Sequence, residues 1–331
     1  MSLIRVGRGL DATRLHVERE GSGEPLLWIT GLAISSEIFA PVIGDYAGGF
    51  DCIRYDNRGA GRSPASWRPT SIPELAGDAV RLLDALGLAS AHVYGLSMGG
   101  MIAQEMAIRF PDRVRSLVLG GTSHGGPRAV LPSPRIAAAL TSRGMSNAVR
   151  AQLVGRALFS EQYRLEHPDL VRSHLRNLGA HRASAQGLVS HLTASTYHDT
   201  RARVHRIGAP TLVLHGGADA LLPVGNARLL AAGIPDATLE VLDGLGHGYL
   251  LEQPELAHRV FTRWLAARSP VPAGRALSGL AARSEPLTRA LGLPVGALRA
   301  GASLLTPAPR SRPTSPRAPG EPCTSTTSDS S

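Results

Sequence analysis

Lysine is absent from this chain of 331 residues, and all 35 basic residues are arginine. With no side-chain amine there is no Schiff-base catalysis, no covalent pyridoxal phosphate and no P-loop. Cysteine is almost as scarce. Cys52 lies in an apolar strand-like run and Cys323 near the C-terminal end, which gives neither a disulfide framework nor a cysteine metal site. Aromatic residues make up 4% of the chain and do not interleave with the arginines. Of the formal charge of +9, four units fall in residues 270–331, where seven arginines face three acids, Glu285, Glu321 and Asp329. Charge dispersed in this way argues against a nucleic-acid partner. Nowhere do about 18 uncharged apolar residues run together, and Met1 to Ala12 lacks the apolar stretch of a signal peptide. The expectation is no membrane partner and a cytoplasmic location.

What is present is an alternation of strand-like and helix-like segments. At 43% apolar, the chain can bury a sizeable core. Leu3–Val6 and Arg14–Arg19 read as an edge hairpin, and Leu26–Ile29 as a strand buried on both faces. Asp51–Tyr55 is the next strand and runs into the turn Asp56–Ser63. Apolar spacing predicts a helix over Pro73–Leu86, closed by Gly87. Ala91–Leu96 is a strand, Met98–Phe110 a helix and Val114–Leu119 a strand. The alternation then stops until Thr211–His215, a helix near Val224–Ala232, the strand Thr238–Leu242 and a closing helix over Pro254–Ala267. The pattern predicts an α/β fold with a mostly parallel central sheet flanked by helices. Residues 1–122 and 206–268 form its core, residues 123–205 a helical insertion, and residues 269–331 a largely disordered tail rich in Pro, Ala, Ser and Arg. Within that tail Leu287–Leu305 could form a short helix.

The chain is organised around Gly95-Leu96-Ser97-Met98-Gly99, between a strand and a helix. A tight strand-to-helix turn strains the backbone of Ser97 and leaves no room for side chains two residues before or after it. A glycine-rich corner would show the same five letters, so the surroundings decide. A serine nucleophile needs a base, and the base a carboxylate; in a parallel sheet both must come from loops at the carboxyl ends of strands. His247, in Leu245-Gly246-His247-Gly248, follows one strand, and Asp219, in Gly216-Gly217-Ala218-Asp219, follows another. No acid occurs between Asp112 and Glu161, so the loop after Val114–Leu119 cannot supply the carboxylate. Asp243 is the alternative, only four residues from His247 in the same loop. Met98 N–H at the helix start and Leu32 N–H, after Thr30-Gly31, are the candidate oxyanion donors. Seven other histidines, His124, His167, His174, His181, His191, His198 and His205, fall in or at the ends of the insertion, where solvated surface is the expectation for most.

Four motifs in order, Asp56-Asn57-Arg58-Gly59-Ala60-Gly61-Arg62-Ser63, Gly95–Gly100, Gly216–Asp219 and Gly246-His247, resemble those of the α/β-hydrolase superfamily. Over about residues 10–268 the chain is similar to the 3-oxoadipate enol-lactonase-like group and to small esterases of the aclacinomycin methylesterase type. The resemblance implies an α/β-hydrolase fold with a cap, Ser97 as nucleophile, His247 as base, Asp219 as its orienter, and Leu32 and Met98 as oxyanion-hole donors. It implies no metal or organic cofactor. Thr30-Gly31 departs from the His-Gly of many members and leaves the subfamily open.

Serine at this strand-to-helix turn, the nucleophile elbow, argues against haloalkane dehalogenase and epoxide hydrolase chemistry, which needs a carboxylate there. The leading expectation is hydrolysis of a small-molecule carboxylic ester or lactone through an acyl-enzyme. Acyl transfer or carbon–carbon bond hydrolysis on the same residues is the alternative, and a non-enzymatic binding protein the third. The insertion holds eleven arginines against four acids. A solvated helix face accounts for most of them; a bidentate clamp on a substrate carboxylate is the sharper alternative.

Overall fold

The computed structural model describes residues 2–9, 12–134, 136, 147–180 and 183–268. Among these residues eight strands form one sheet: β1 (Ser2–Val6), β2 (Thr13–Gly21), β3 (Glu24–Ile29), β4 (Phe50–Tyr55), β5 (Ala91–Leu96), β6 (Val114–Gly120), β7 (Thr211–Gly216) and β8 (Ala237–Leu242). Their order across the sheet is β1-β2-β4-β3-β5-β6-β7-β8. The β1–β2 and β2–β4 pairs are antiparallel and all others parallel. The expected mostly parallel sheet and edge hairpin are both found.

Successive side chains of a strand point to opposite faces, so a strand covered on both sides is apolar throughout. In β3, Leu27 and Ile29 join a core cluster with α2 (Ile72–Ala85) and α3 (Met98–Arg109). Leu26 and Trp28 join the opposite cluster with α1 (Ala40–Ala47) and α10 (Pro254–Ala266). Trp28 stacks on Tyr94 at 4.4 Å between centroids and meets Tyr46 edge-on at 4.8 Å, so the few aromatics concentrate on one face. Helix α2 starts at a capping box: Ser71 Oγ accepts the Glu74 N–H, and Glu74 returns a carboxylate to the Ser71 N–H at 2.8 Å. Such a cap contributes about 1 kcal/mol.

Between β6 and β7 the described residues contain α4 (Asn147–Leu158), α5 (Glu161–Glu166), α6 (Pro168–Ala180) and α7 (Ala185–Thr196), and no strand. The helices α8 (Gly225–Gly233), α9 (Tyr249–Glu252) and α10 complete the fold. The tail from Ser269 onward, with the helix expected over Leu287–Leu305, lies outside the described residues. No helix among the described residues is long and apolar enough to cross a membrane.

One expectation about the insertion needs correction. His124, His191 and His198 are buried, and His174 is half-buried; only His167 and His205 are exposed, while His181 is not among the described residues. His191 reaches the loops after β3 and β4 and His174 packs on Phe159 and Tyr163 within the insertion, whereas the sequence alone reads these rings as ordinary polar surface. The described arginines fit the solvated face better: Arg128, Arg156, Arg172, Arg176 and Arg201 are exposed, and Arg203 pairs with buried Glu105.

Candidate active site

Strand order brings the key loops together. β3 lies between β4 and β5, so the connections on its two sides run to opposite edges, and a crevice opens at the carboxyl ends of β3 and β5. Ile29 is paired with Gly95 and Leu96 with Gly120. Thr30–Leu32, Ser97 and Gly121 therefore leave the sheet side by side.

Ser97 has φ 57° and ψ −122°, a conformation L-residues rarely adopt, and stands at the N-cap of α3. The neighbouring glycines make this possible. A Cβ on Gly95 would come within 2.8 Å of Ala103 Cβ, and one on Gly99 within 2.7 Å of the Thr30 carbonyl oxygen and in hard overlap with that of Ile29. Replacing Gly99 by alanine is expected to destabilise the protein by about 3 kcal/mol, the upper range for overpacking, because the obstacle is backbone rather than a flexible side chain. Urea unfolding checks this; an unchanged midpoint would show that the elbow is looser than described.

His247 and Asp219 are held as a pair. His247 Nδ1 lies 2.7 Å from Asp219 Oδ2, and both side chains are buried. Asp219 Oδ1 accepts the Leu221 and Leu222 N–H groups at 2.9 and 2.7 Å. His215 Nε2 adds a contact to Oδ2 at 3.3 Å while donating to the Leu222 carbonyl at 2.7 Å. Burial alone would raise the Asp219 carboxyl, but the charge attraction of, and the hydrogen bonds from, His247 and His215 outweigh it and bring it down to about 2. The carboxylate thus stays charged across the ordinary pH range.

The segment Gly120–Thr122 lies between that pair and Ser97. The Ser97 N–H donates to the Gly120 carbonyl at 2.8 Å, and the Thr122 hydroxyl donates to the Ser97 carbonyl at 2.7 Å. A Cβ on Gly121, whose φ is +49°, would stand 3.3 Å from His247 Nδ1 and 3.6 Å from Asp219 Oδ2. The His247 loop is fixed from the far side too. Glu252 Oε1 accepts the Gly246 and Ser160 N–H groups at 3.0 and 2.9 Å, and the Gly248 N–H donates to the Leu158 carbonyl at 2.6 Å. The helical segment between β6 and β7 therefore helps to hold this loop.

On the other side of Ser97, Gly31 packs so closely that a Cβ there would be 3.2 Å from Ser97 Cβ. Asn57 Nδ2 donates to the Thr30 carbonyl and hydroxyl, both at 3.2 Å, and the Thr30 hydroxyl donates to the Ile34 carbonyl at 3.2 Å. The threonine that departs from the His-Gly pattern is thus built into the loop. Leu32 follows in this loop, and Met98 opens α3, where the first N–H groups have no intrahelical acceptor. Asp56 supports the same region by accepting from Ser35 Oγ, Ser36 N–H and Arg62 N–H at 2.9, 2.6 and 2.8 Å.

Of the residues singled out from the sequence, Ser97, Leu32 and Met98 meet at the β3/β5 crevice, and Asp219 and His247 form a hydrogen-bonded pair across Gly121. Asp243, the alternative carboxylate, is exposed. Sequence reasoning missed His215, Gly121, Glu252 and His191; His215 reads as the end of an apolar strand, and only its position four residues before Asp219 hints at more. Among the described residues no group of three or more His, Cys, Asp or Glu is arranged to hold a metal ion.

Comparison with known proteins places this geometry in a family. The sequence profile of the alpha/beta hydrolase fold matches residues 24–254. The chain is 32% identical over 246 residues to a protein of Azorhizobium caulinodans named as a carbamate hydrolase, RutD, covering 73% of this chain and 91% of that one. It is 29% identical over 230 residues to 3-oxoadipate enol-lactonase 2 of Acinetobacter baylyi, covering 70% and 84%. Among solved structures it resembles a thermophilic esterase from Thermogutta terrifontis, with a TM-score of 0.69, 25% identity and coverage of 80% and 98%. The eight-stranded sheet, the serine at its strained turn and the extent of these matches lead to one conclusion: the chain is a hydrolase of the α/β-hydrolase family.

Proposed function

We propose that this protein is a serine hydrolase that cleaves a carboxylic ester or lactone of a small molecule through an acyl-enzyme on Ser97. The observation that carries the reading is the short Gly120–Thr122 segment, which is bonded to Ser97 on one side and packed on the His247–Asp219 pair on the other. Ser97 Oγ attacks the substrate carbonyl carbon and its proton passes to His247 Nε2. The negative oxygen of the tetrahedral intermediate accepts from the Leu32 and Met98 N–H groups, each donor lowering the barrier by about 3 kcal/mol. Asp219 keeps the other imidazole proton on Nδ1 and stabilises the imidazolium. Collapse of the intermediate re-forms the carbonyl and breaks the bond between the acyl carbon and the alcohol oxygen, and the leaving alkoxide takes the proton from His247. Water then attacks the acyl carbon and gives its proton to His247; the bond to Ser97 Oγ breaks, His247 returns the proton to that oxygen, and the carboxylic acid leaves. With a lactone the alcohol stays attached, and the product is a hydroxy acid. Helices α4 to α7 act as the cap over this site.

A panel of p-nitrophenyl esters, five- and six-membered lactones and an aryl carbamate tests the reading, with Ser97→Ala as control. Turnover of an ester or lactone that vanishes in Ser97→Ala supports it. Turnover confined to the carbamate would move the assignment toward the activity for which the RutD relative is named. Binding without turnover would favour the ligand-binding alternative.

A further inference from the structure

His191, on α7, has no exposed surface. Its ring bridges two loops: the Ala33 N–H donates to Nδ1 at 3.0 Å, and Nε2 lies 2.8 Å from the Arg58 carbonyl oxygen. A backbone N–H only donates and a carbonyl only accepts, so the ring is neutral with its proton on Nε2. Ala33 has φ 56° and, with Ser97, is one of two non-glycine residues at positive φ among the described residues. A residue stays in that region only when its surroundings over-determine it. Helix α7 reaches the loop because glycine meets glycine: a Cβ on Gly187 would stand 3.1 Å from Gly59 Cα, in a contact that leaves no space for side chains. One turn further, Ser190 Oγ accepts the Thr70 N–H at 2.8 Å.

We propose that His191 is a positioning residue for the oxyanion hole: by accepting the Ala33 N–H, its Nδ1 holds the Leu32–Ala33 backbone so that the Leu32 N–H faces the charge developing beside Ser97. The proposal rests on the serine-hydrolase reading. It gives α7 a part in the chemical step as well as in covering the site. The bond to Arg58 has a different task, tying α7 to the turn after β4.

The two bonds can be separated by stereochemistry. An asparagine places Oδ1 near the position of Nδ1 and keeps an acceptor for Ala33. A glutamine reaches the position of Nε2 and keeps a donor for Arg58. The experiment compares kcat and KM for p-nitrophenyl acetate in wild type, His191→Asn, His191→Gln and Ser97→Ala. Glutamine is expected to lower kcat about 10- to 100-fold, since a displaced donor loses part of what an absent one would. KM should change little, and asparagine should retain most of kcat. Equal losses in the two variants, the reverse order, or a loss confined to KM would overturn the proposal. Because a buried substitution can harm folding, ¹⁵N NMR of the imidazoles in unmodified protein supplies an independent reading. A proton on Nε2 and a bare Nδ1 are expected; a proton on Nδ1 would overturn the proposal without any variant. If Ser97→Ala keeps wild-type turnover, the hydrolase reading fails and takes this proposal with it. If Ser97→Ala is inactive and asparagine and glutamine behave alike, this proposal alone fails.

Discussion

Ser97→Ala is expected to lower kcat by about 10⁴- to 10⁶-fold, leaving only the residual acceleration that the oxyanion donors and substrate binding provide. The loss should lie in kcat, because the hydroxyl forms its bond to substrate only along the reaction path. A companion variant separates chemistry from strain. At φ 57° and ψ −122° any side chain keeps the backbone strain, and only glycine relieves it. Ser97→Gly should therefore be as inactive as Ser97→Ala but more stable than it, by about 1 kcal/mol after the added flexibility of the unfolded chain is counted. Chemical denaturation of the two variants checks this. A glycine variant less stable than the alanine variant would mean that the elbow stores no strain, contrary to the view that the fold holds Ser97 against its own preference.

Asp219→Asn should lower kcat by about 10⁴-fold with the fold intact. The amide oxygen can still accept from the Leu221 and Leu222 N–H groups, which turns its NH₂ toward His247. His247 Nδ1 then has to accept rather than donate, its proton moves to Nε2, and the ring can no longer take the proton of Ser97. The same substitution has a signature in stability. Despite its burial the Asp219 carboxyl is lowered from an ordinary 3.8 to about 2. A group lowered on folding contributes stability that is fully present above its unfolded value and disappears as pH falls through the folded one. That contribution, about 2 kcal/mol, should fade between roughly pH 4 and pH 2 in the wild type. In Asp219→Asn this part of the acid dependence should be gone. Urea midpoints measured across that window decide the point: parallel curves for the two proteins would show that Asp219 is not held as a charged partner of His247.

Much of the architecture was legible because β-strands buried on both faces announce themselves as short apolar runs. Ala91–Leu96 is a strand in the structure with those same limits, and Val114, Thr211 and Pro254 begin elements where the pattern begins. Helix α1 was not legible. It is eight residues long, carries Gly44 in its middle and lacks a side-chain cap, so local propensity says little and its form comes from packing Val42, Ile43 and Tyr46 on the sheet. The reversal of β3 and β4 in the sheet is likewise a matter of crossover geometry, which residue spacing does not encode. In the candidate site, Ser97, Asp219 and His247 stood out because glycines flank them at strand ends. Glu252 and His191 did not, since each acts on a backbone group distant in sequence, and His215 did not because it reads as the end of an apolar strand. Their roles depend on which loops the fold brings together, and single histidines in an arginine-rich helical stretch look like surface until the docking of α7 is known.

The most direct test of the account is the site and extent of labelling by a fluorophosphonate in the wild-type protein, in Ser97→Ala and in His247→Ala, read by peptide mass spectrometry. One label per chain is expected, on Ser97, absent in Ser97→Ala and strongly slowed in His247→Ala. A folded wild-type protein that takes no label, or takes it equally well in all three forms, would contradict the claim that Ser97 is an activated nucleophile.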